Sequence, residues 1–431
     1  RKLPPDENKD LSKYIREKGS KSILFNGDVL KEYDEVILAE GECFPKDAQI
    51  FTKNGWVKFA DYKQEEVLQV FEDGTSSFVK PLAFIKKRFV GNLTKIEKKG
   101  YLSITTPEHK IVTKRKDGKV VKYKASDKIS TANIIPRVTL LNGPGIDLTN
   151  DQIALCLAVS ADVTIDYRKN TGERGIYPKE KRYGRSAFKK KRKIDRLTGI
   201  LQRLGMSYSS NKIRNGYTSI CFPIPDWVTE KKLPFTWLYL ASIEQREFIL
   251  EELIYWDGNR VPNRNQTEYS TKLYHNAVWV QTLCHTTGRV STIMRRKNKF
   301  GSWYKVSILH GKSYNSCQKL RKSEVYYDDY VYCVSVPSSL ILVRQEDKIT
   351  VSGNCDAITL IQNGYENAVG MTGGCGTLLP EWYDQLILKS KIFLVLDTDD
   401  DNQGQKAAKD VWATRLGLDK CWNVLLPKGY D

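Results

Sequence analysis

The sequence feature that most limits how this chain can fold is a break between two segments that together have the pattern of one structural unit. EVILAE, at residues 35–40, has the length and apolar content of a strand, and DAITLIQNG, from Asp356, has the acidic start and glycine end of a helix. The 312 residues from 43 to 354 separate them. A strand and the helix that follows it can stay neighbours across such a gap only if the gap folds as a domain of its own. The sequence therefore predicts an insertion.

The residues at the two edges of this insertion have matching chemistry. Cys43 supplies a thiol at the first edge, Asn354 a carboxamide at the second, and Cys355 another thiol directly beyond it. A thiolate that attacks the preceding carbonyl, together with an Asn side chain that attacks its own, would cut out the segment between them. The alternative for Cys43 is an ordinary buried cysteine, which does not account for the Asn-Cys pair at the other edge.

Residues 43–354 resemble an intein, a self-splicing protein element. The resemblance is carried by CFPKDAQIFTKNGW at 43–56, TPEH at 106–109, VYCVSVPSSLILVR at 331–344 and ITVSGN at 349–354, followed by Cys355. It implies an all-β Hint splicing domain formed by residues 43–140 and 323–354, with both edges of the insertion meeting at its centre. It implies no cofactor for splicing.

The resemblance also assigns roles to individual residues. Cys43 would take up the preceding acyl group as a thioester, and His109, oriented by Thr106, would protonate the departing nitrogen. Cys355 would then receive the acyl group, and Asn354 would cyclise to release the insert.

Three positions of the closing motifs differ from the family's pattern or vary within it. Cys333 stands where many inteins have Asp or Cys, and it would couple the steps. The penultimate residue of the insert, usually His, is Gly353, and the His of the preceding motif is replaced by Leu340. The sequence thus leaves the general acid for the cyclisation of Asn354 unassigned.

Two helix-length apolar stretches inside the insert each end on an acid. DQIALCLAVSAD ends at Asp162, and REFILEELIYWD ends at Asp257, 95 residues later. They resemble the paired LAGLIDADG motifs of homing endonucleases. That implies an α+β domain at residues 150–318 in which both acids bind Mg²⁺ and the partner is double-stranded DNA. The motifs are imperfect: Val163 replaces the family's Gly, and bulky residues replace small ones at Leu253, Ile254, Tyr255 and Trp256.

Basic stretches follow both apolar segments and are expected to lie on sheets. Residues 182–196 hold eight basic side chains and one Asp, and residues 288–308 mix Arg and Lys with aromatic residues. Solvated faces are the usual place for such stretches. Beside two acids, they indicate contacts to DNA phosphates.

The flanks, residues 1–42 and 355–431, alternate strand and helix patterns and predict a largely parallel sheet. Joined, they resemble a split α/β Toprim domain of phage primase–helicase proteins. The resemblance implies that Glu40 is a general acid/base and that Glu40, Asp397 and Asp399 bind Mg²⁺. Its partners would be a single-stranded DNA template and nucleotides, with helicase or zinc-binding domains outside this segment.

Charge separates the insert from the flanks. The chain has a net charge of +18, yet the flanks sum to −6, so the insert alone carries +24. This split assigns the nucleic-acid signal mainly to the insert. Nine cysteines without paired CxxC spacing argue against a disulfide framework, and the absence of a long apolar run predicts no membrane partner. A cytoplasmic location, in a bacterial or phage-infected cell, is expected.

These observations predict a multi-domain chain, namely a primase-like Toprim protein interrupted by an intein that carries a homing endonuclease. Two alternatives stay open. The endonuclease domain is degenerate and only binds DNA, or the chain is a non-splicing basic nucleic-acid-binding protein. The second alternative does not explain the split strand–helix unit.

Overall fold

The fold was analysed on a computed structural model. It describes residues 30–40, 43–107, 109–168, 181–228, 231–299, 301–311, 313–353, 365, 367–371, 378, 380–396 and 403–425. The described chain is rich in strands and has few helices. None of the helices in these ranges is long and apolar enough to cross a membrane.

The strands in chain order begin with β1 Glu35–Glu40, β2 Phe44–Pro45, β3 Gln49–Thr52, β4 Gly55–Lys58, β5 Val67–Val70, β6 Thr75–Val79, β7 Ala83–Lys98, β8 Tyr101–Thr105, β9 Lys110–Lys114, β10 Val120–Lys124, β11 Ile134–Pro136 and β12 Leu140–Leu141. They continue with β13 Thr164–Arg168, β14 Lys181–Phe188, β15 Ser209–Ile213, β16 Tyr217–Pro223, β17 Gly258–Arg260, β18 Gln266–Thr271, β19 Val290–Asn298 and β20 Gly301–Leu309. The last are β21 Tyr314–Ser316, β22 Arg321–Ser335, β23 Leu340–Gln345, β24 Lys348–Gly353, β25 Ala368–Met371, β26 Lys391–Val395 and β27 Cys421–Val424.

The helices are α1 Asn150–Asp162, α2 Lys191–Arg203, α3 Trp237–Leu240, α4 Ile243–Asp257, α5 Tyr274–His285, α6 Pro380–Leu386, α7 Gln403–Ala407 and α8 Thr414–Leu416. A π-helical segment, Ala408–Ala413, joins the last two, and single 3₁₀ turns lie at Phe59–Asp61 and Arg214–Gly216. The chain divides into two compact units, residues 1–73 with 77–137 and 314–431, and residues 74–76 with 138–313.

The flanks form a parallel sheet within the first unit, in the strand order β25-β1-β26-β27. Strand β1, which precedes the insert, pairs in parallel with β25 and β26, which follow it. Buried apolar side chains cover the sheet, and Trp382 stacks on Trp412 with ring centroids 6.5 Å apart. The predicted strand at 35–40 and the predicted parallel sheet are thus both confirmed. The predicted helix from Asp356 lies outside the described residues.

The insert has two β-rich pieces, an early one (residues 43–73 and 77–137) and a late one (residues 314–353). They fold together in the same unit and are called the β-domain here. Strand β22, from the late piece, pairs antiparallel with β2 and along its whole length with β7 from the early piece. Strand β23 pairs with β3, β5 and β24. Asn54-Gly55 and Lys99-Gly100 lie at the turns between β3 and β4 and between β7 and β8, and such dipeptides are typical of hairpin turns.

The second unit contains the same arrangement twice. Each copy has a helix followed by a four-stranded antiparallel sheet, in the orders β13-β14-β16-β15 and β17-β18-β20-β19. Both leading helices begin with a capping box, Thr149 with Gln152 in α1 and Ser242 with Gln245 in α4, which satisfies the free backbone N–H groups of the first turn. Both end at the predicted acids, Asp162 and Asp257.

One prediction about this unit was wrong in part. The basic stretch 182–196 was expected on a sheet, but only its first half lies on β14, and its second half forms the start of α2. The apolar spacing of Leu197, Ile200 and Leu201, which are buried, makes this segment helical. The positive charges of residues 191–196 therefore project from a helix.

Candidate functional site

The first candidate site lies where the insert begins, in the β-domain. Cys43 is buried, its backbone N–H donates to Thr106 Oγ1 at 3.1 Å, and its carbonyl accepts from the N–H of Thr106 at 3.1 Å. Two hydrogen bonds to one residue hold the first residue of the insert against the end of β8. The fold thus places Thr106 beside the first residue of the insert, and its predicted role, to orient His109, stays a prediction.

The Thr-Pro-Glu-His motif forms a turn that brings its ends together. The N–H of His109 donates to the carbonyl of Thr106 at 3.1 Å, with Pro107 at the second position of the turn, where its fixed φ is favoured. The ring of His109 packs edge-on against Phe44, with centroids 4.6 Å apart. The imidazole therefore lies beside the second residue of the insert.

The environment of His109 makes its ring neutral at physiological pH. His109 is fully buried, and desolvation lowers its pKa from 6.5 to about 3. A neutral imidazole carries one N–H and one acceptor nitrogen, so it can give a proton at one atom and take one at the other.

The far end of the insert reaches the same imidazole. His109 Nε2 lies 2.7 Å from Ser352 Oγ, although 243 residues separate the two in sequence. Ser352 is buried on β24, two residues before Asn354. Asn354 and Cys355 themselves lie outside the described residues.

The side-chain amide of Gln345 joins β23 to β8. Its Oε1 accepts from the N–H of Ile104 at 2.9 Å and its Nε2 donates to the carbonyl of Ile104 at 2.8 Å. These two hydrogen bonds resemble the backbone pairing between neighbouring β-strands. It ties the β23–β24 hairpin to the strand that carries Thr106.

Cys333 lies in the same apolar cluster as Cys43. The cluster also contains Ile85, Leu93 and Val331. Phe44 pairs with Tyr332 across β2 and β22, and continuing that register places Cys43 level with Cys333. The fold thus brings a second thiol to the first edge of the insert, and the coupling role of Cys333 stays a prediction.

The two positions that depart from the intein pattern are partners of each other. Leu340 pairs with Gly353 across β23 and β24, and both are buried. The last pair of this hairpin therefore presents an aliphatic side chain and a glycine. It offers no ionisable group next to Asn354.

The second candidate site lies at the ends of α1 and α4 in the second unit. Lys193 Nζ forms an ion pair with Asp162 and lies 3.7 Å from Asp257 Oδ1. Burial, and next the charge of Asp162, raise the pKa of Asp257 to about 6. Desolvation lowers the pKa of Lys231, against the attraction of both carboxylates. Two carboxylates and two ammonium groups therefore meet at this point.

This donor set is compatible with Mg²⁺. Magnesium in enzymes is commonly held by one or two carboxylates together with phosphate oxygens and water. The mutual repulsion of Asp162 and Asp257, seen in the raised pKa of Asp257, is what a divalent cation would relieve. Among the described residues no group of three or more His, Cys, Asp or Glu side chains could hold a metal, so the pair would need oxygen ligands from a substrate.

The third predicted site is described only in part. Glu40 ends β1, and continuing the register of β1 with β26 places its backbone level with Leu396, one residue before Asp397. The carboxyl ends of parallel strands are where ligands bind on open α/β sheets. Asp397 and Asp399 lie outside the described residues.

Comparisons with known proteins give one curated match. No family model matches the chain. The chain is 27% identical over 358 residues to the beta subunit of ribonucleoside-diphosphate reductase of Aquifex aeolicus (strain VF5), a match that covers 74% of this chain and 51% of that protein. The chain thus spans about half the length of the curated relative. Because the two flanks together hold only 119 residues, most of the match falls within residues 43–354.

Three similar solved structures align with low scores. A splice-inactive, GSH-linked variant of the AceL NrdHF class 3 split intein aligns with a TM-score of 0.29 and 10% identity over 72% of this chain and 97% of its own. A mesophilic variant of the homing endonuclease I-DmoI aligns with 0.29 and 13% over 37% and 89%. The N-terminal LAGLIDADG domain of DUF199/WhiA aligns with 0.26 and 10% over 38% and 77%. At such scores the geometry of this chain has to carry the argument.

Sequence reasoning missed several residues that the fold places in or near these sites, among them Ser352, Lys193 and Lys231. Ser352 occupies an ordinary strand position, and no local pattern distinguishes it. Lys193 is one of several lysines in a basic run, and the sequence does not indicate which of them contacts both acids. A helical reading of residues 191–203 would have placed Lys193 in a first turn, the part of a helix nearest the preceding β14.

Proposed function

We propose that residues 43–354 excise themselves by protein splicing and join residues 1–42 to residues 355–431. One observation carries the proposal. His109 contacts Phe44, the second residue of the insert, and Ser352, its third-last residue. An inserted domain has to keep its two ends near each other, but it has no structural need to place both of them against one buried imidazole. Splicing requires that its two edges meet.

The chemistry at the first edge follows from these contacts. The thiolate of Cys43 attacks the carbonyl carbon of Glu42, so that a thioester forms and the Glu42–Cys43 peptide bond breaks. The Cys43 nitrogen, whose N–H donates to Thr106 Oγ1 at 3.1 Å, is the leaving group and takes up a proton. His109 is the proposed donor, through its neutral ring.

The second edge completes the exchange. The thiol of Cys355 receives the acyl group from Cys43, and Asn354 then cyclises and releases the insert. A final shift of the acyl group from sulfur to the free amine gives an ordinary peptide bond. Cys333, in one cluster with Cys43, is proposed to couple the first step to the second.

We expect the expressed chain to splice without ATP or metal. Intact-mass spectrometry under reducing conditions should show a joined product of 119 residues and a free insert of 312 residues, the lengths that the two edges define. A chain with both Cys43→Ala and Asn354→Ala, which lacks the attacking groups of both edges, is the control and should stay at 431 residues. If the unaltered chain persists for days as unspliced precursor, splicing is not its function.

Within the insert, the second unit is proposed to be a homing endonuclease that cuts double-stranded DNA. The support is the repeated helix-and-sheet arrangement, with Asp162 and Asp257 converging beside Lys193. Mg²⁺ bound there would supply an activated water and stabilise charge on phosphate oxygens. Lys193 and Lys231 would balance the two carboxylates and orient the phosphate. A degenerate domain that only binds DNA is the alternative.

The spliced host is proposed to be a Toprim-like nucleotidyl transferase, a primase, with a single-stranded DNA template and Mg²⁺. Its support is the parallel sheet with Glu40 at a carboxyl end. The curated match to a reductase subunit lends this host no support. We expect the spliced product to bind Mg²⁺ and its Glu40→Gln variant to bind it more weakly, as measured by calorimetry. Equal binding would remove Glu40 from the metal site.

A further inference from the structure

The contact between His109 and Ser352 has features of a functional hydrogen bond. Both side chains are buried, and the 2.7 Å distance from Nε2 to Oγ is short for a hydrogen bond to a ring nitrogen. A hydrogen bond at Nε2 fixes the orientation of the ring, and the serine hydroxyl can either donate to a bare Nε2 or accept from Nε2–H. Ser352 therefore holds the imidazole of His109 in place.

The sequence of the first unit contains few histidines. The chain has four, and three of them, His275, His285 and His310, belong to the sequence of the second unit. His109 is thus the single imidazole that the sequence provides outside that unit. At the second edge, the paired positions Leu340 and Gly353 supply none.

We propose that Ser352 is a positioning residue through which His109 serves both edges of the insert. The inference rests on the proposed splicing function and deepens it. Ser352 holds the imidazole at Nε2 and belongs to the strand that leads into Asn354. Only two residues of chain, at most about 7 Å, lead from Ser352 to Asn354, so a hydroxyl on this strand is the link that we propose between the imidazole and the second edge.

An imidazole joined to a hydroxyl can provide the proton transfers that the second edge requires. The carboxamide nitrogen of Asn354 forms a bond to its own backbone carbonyl carbon, and the peptide bond to Cys355 breaks. The attacking nitrogen loses one proton and the departing amine gains one, so the step as a whole neither takes up nor releases a proton. A neutral imidazole joined to a hydroxyl can accept the first proton and donate the second.

The test separates the two half-reactions in the full chain. In an Asn354→Ala background, cleavage after Glu42 by added dithiothreitol reports the first edge. In a Cys43→Ala background, release of the 77-residue C-terminal flank reports the cyclisation of Asn354. We expect Ser352→Ala to slow both rates at least about tenfold, within the usual contribution of a proton-transfer group. Ser352→Thr, which keeps the hydroxyl, should restore both.

Thr350→Val is the matched control, because it removes another buried hydroxyl from β24 that bonds to the carbonyl of Pro136 at 3.5 Å instead of to His109. It should leave both rates near those of the parent. Imidazole ¹⁵N chemical shifts should show a changed tautomer in Ser352→Ala and not in Thr350→Val, a readout that loss of stability alone does not move.

Two results would overturn the inference. If Ser352→Ala slows the first edge and leaves Asn354 cyclisation unchanged, one imidazole does not serve both. If neither rate nor the tautomer changes, Ser352 does not position His109. Failure of the unaltered chain to splice at all would instead count against the proposed function. The Asn354→Ala and Cys43→Ala chains without a change at Ser352 distinguish this case from failure of the inference.

Discussion

Replacing Cys43 by Ala is expected to abolish the joined 119-residue product, a loss on the order of 10³-fold or more, as for removal of a nucleophile in other covalent mechanisms. Without the thiol no thioester forms, since a methyl group cannot attack the carbonyl of Glu42. Cyclisation of Asn354 does not need Cys43. The chain should therefore still release its 77-residue flank and leave a 354-residue fragment, both visible by intact-mass spectrometry.

Cys317→Ala is the matched control for this change. Cys317 is equally buried and lies in the same compact unit, but in a different apolar cluster from Cys43. Its loss should leave splicing intact. A joined product from Cys43→Ala would show that the thiol is not the nucleophile.

Cys333→Ala adds a second arm to the experiment. If Cys333 couples the steps, its loss should raise the share of flank released without ligation while the thioester at Cys43 can still form. An unchanged product ratio would reduce Cys333 to a packing residue of the cluster it shares with Cys43.

Replacing Asp257 by Asn is expected to lower DNA cleavage by the insert by on the order of 10³-fold, equivalent to several kcal/mol of lost transition-state stabilisation. Asn keeps the volume of the side chain and removes one of the two anionic ligands proposed for Mg²⁺. The substrate is duplex DNA in which the two flank-coding sequences are joined. DNA binding, measured by gel shift, should persist because the basic helix and sheets are unchanged.

The pH dependence of cleavage should report the same residue. Burial and the charge of Asp162 raise the pKa of Asp257 to about 6, so a growing share of this carboxyl is protonated as the pH falls below 6. At limiting Mg²⁺ the rate should therefore fall from pH 7 to pH 5. More Mg²⁺ should move the profile to lower pH, because metal and proton compete for one group.

Asp195→Asn is the control for both experiments, since Asp195 is an exposed acid on the basic helix α2, whereas Asp257 ends α4. It should cut DNA like the parent. Equal loss in both variants would point to a change in DNA binding and not in the metal site. Binding without cleavage by the unaltered insert would establish the degenerate alternative, and absence of both would remove the endonuclease proposal.

Local pattern was sufficient for several elements of this fold. The strand at 35–40 and the helix ends at Asp162 and Asp257 appear where the sequence predicts them. Apolar period and the residues that begin and end an element act over a few positions and can be read along the chain.

The basic stretch 182–196 shows where the sequence prediction failed. It was expected on a sheet because of the resemblance to homing endonucleases, whereas the apolar residues that follow it in α2 have a helical spacing. Solvent-facing charges are compatible with either element. The buried side chains decide which one forms.

The contacts that make the candidate sites could come only from the tertiary structure. Ser352 meets His109 across 243 residues, and Lys193 lies against two acids that end separate helices. No local rule marks either residue, because a serine in a strand and a lysine in a basic run are ordinary at those positions. Their functional meaning arises from strand register and from the convergence of two helix ends, and both depend on packing between segments that are far apart in sequence.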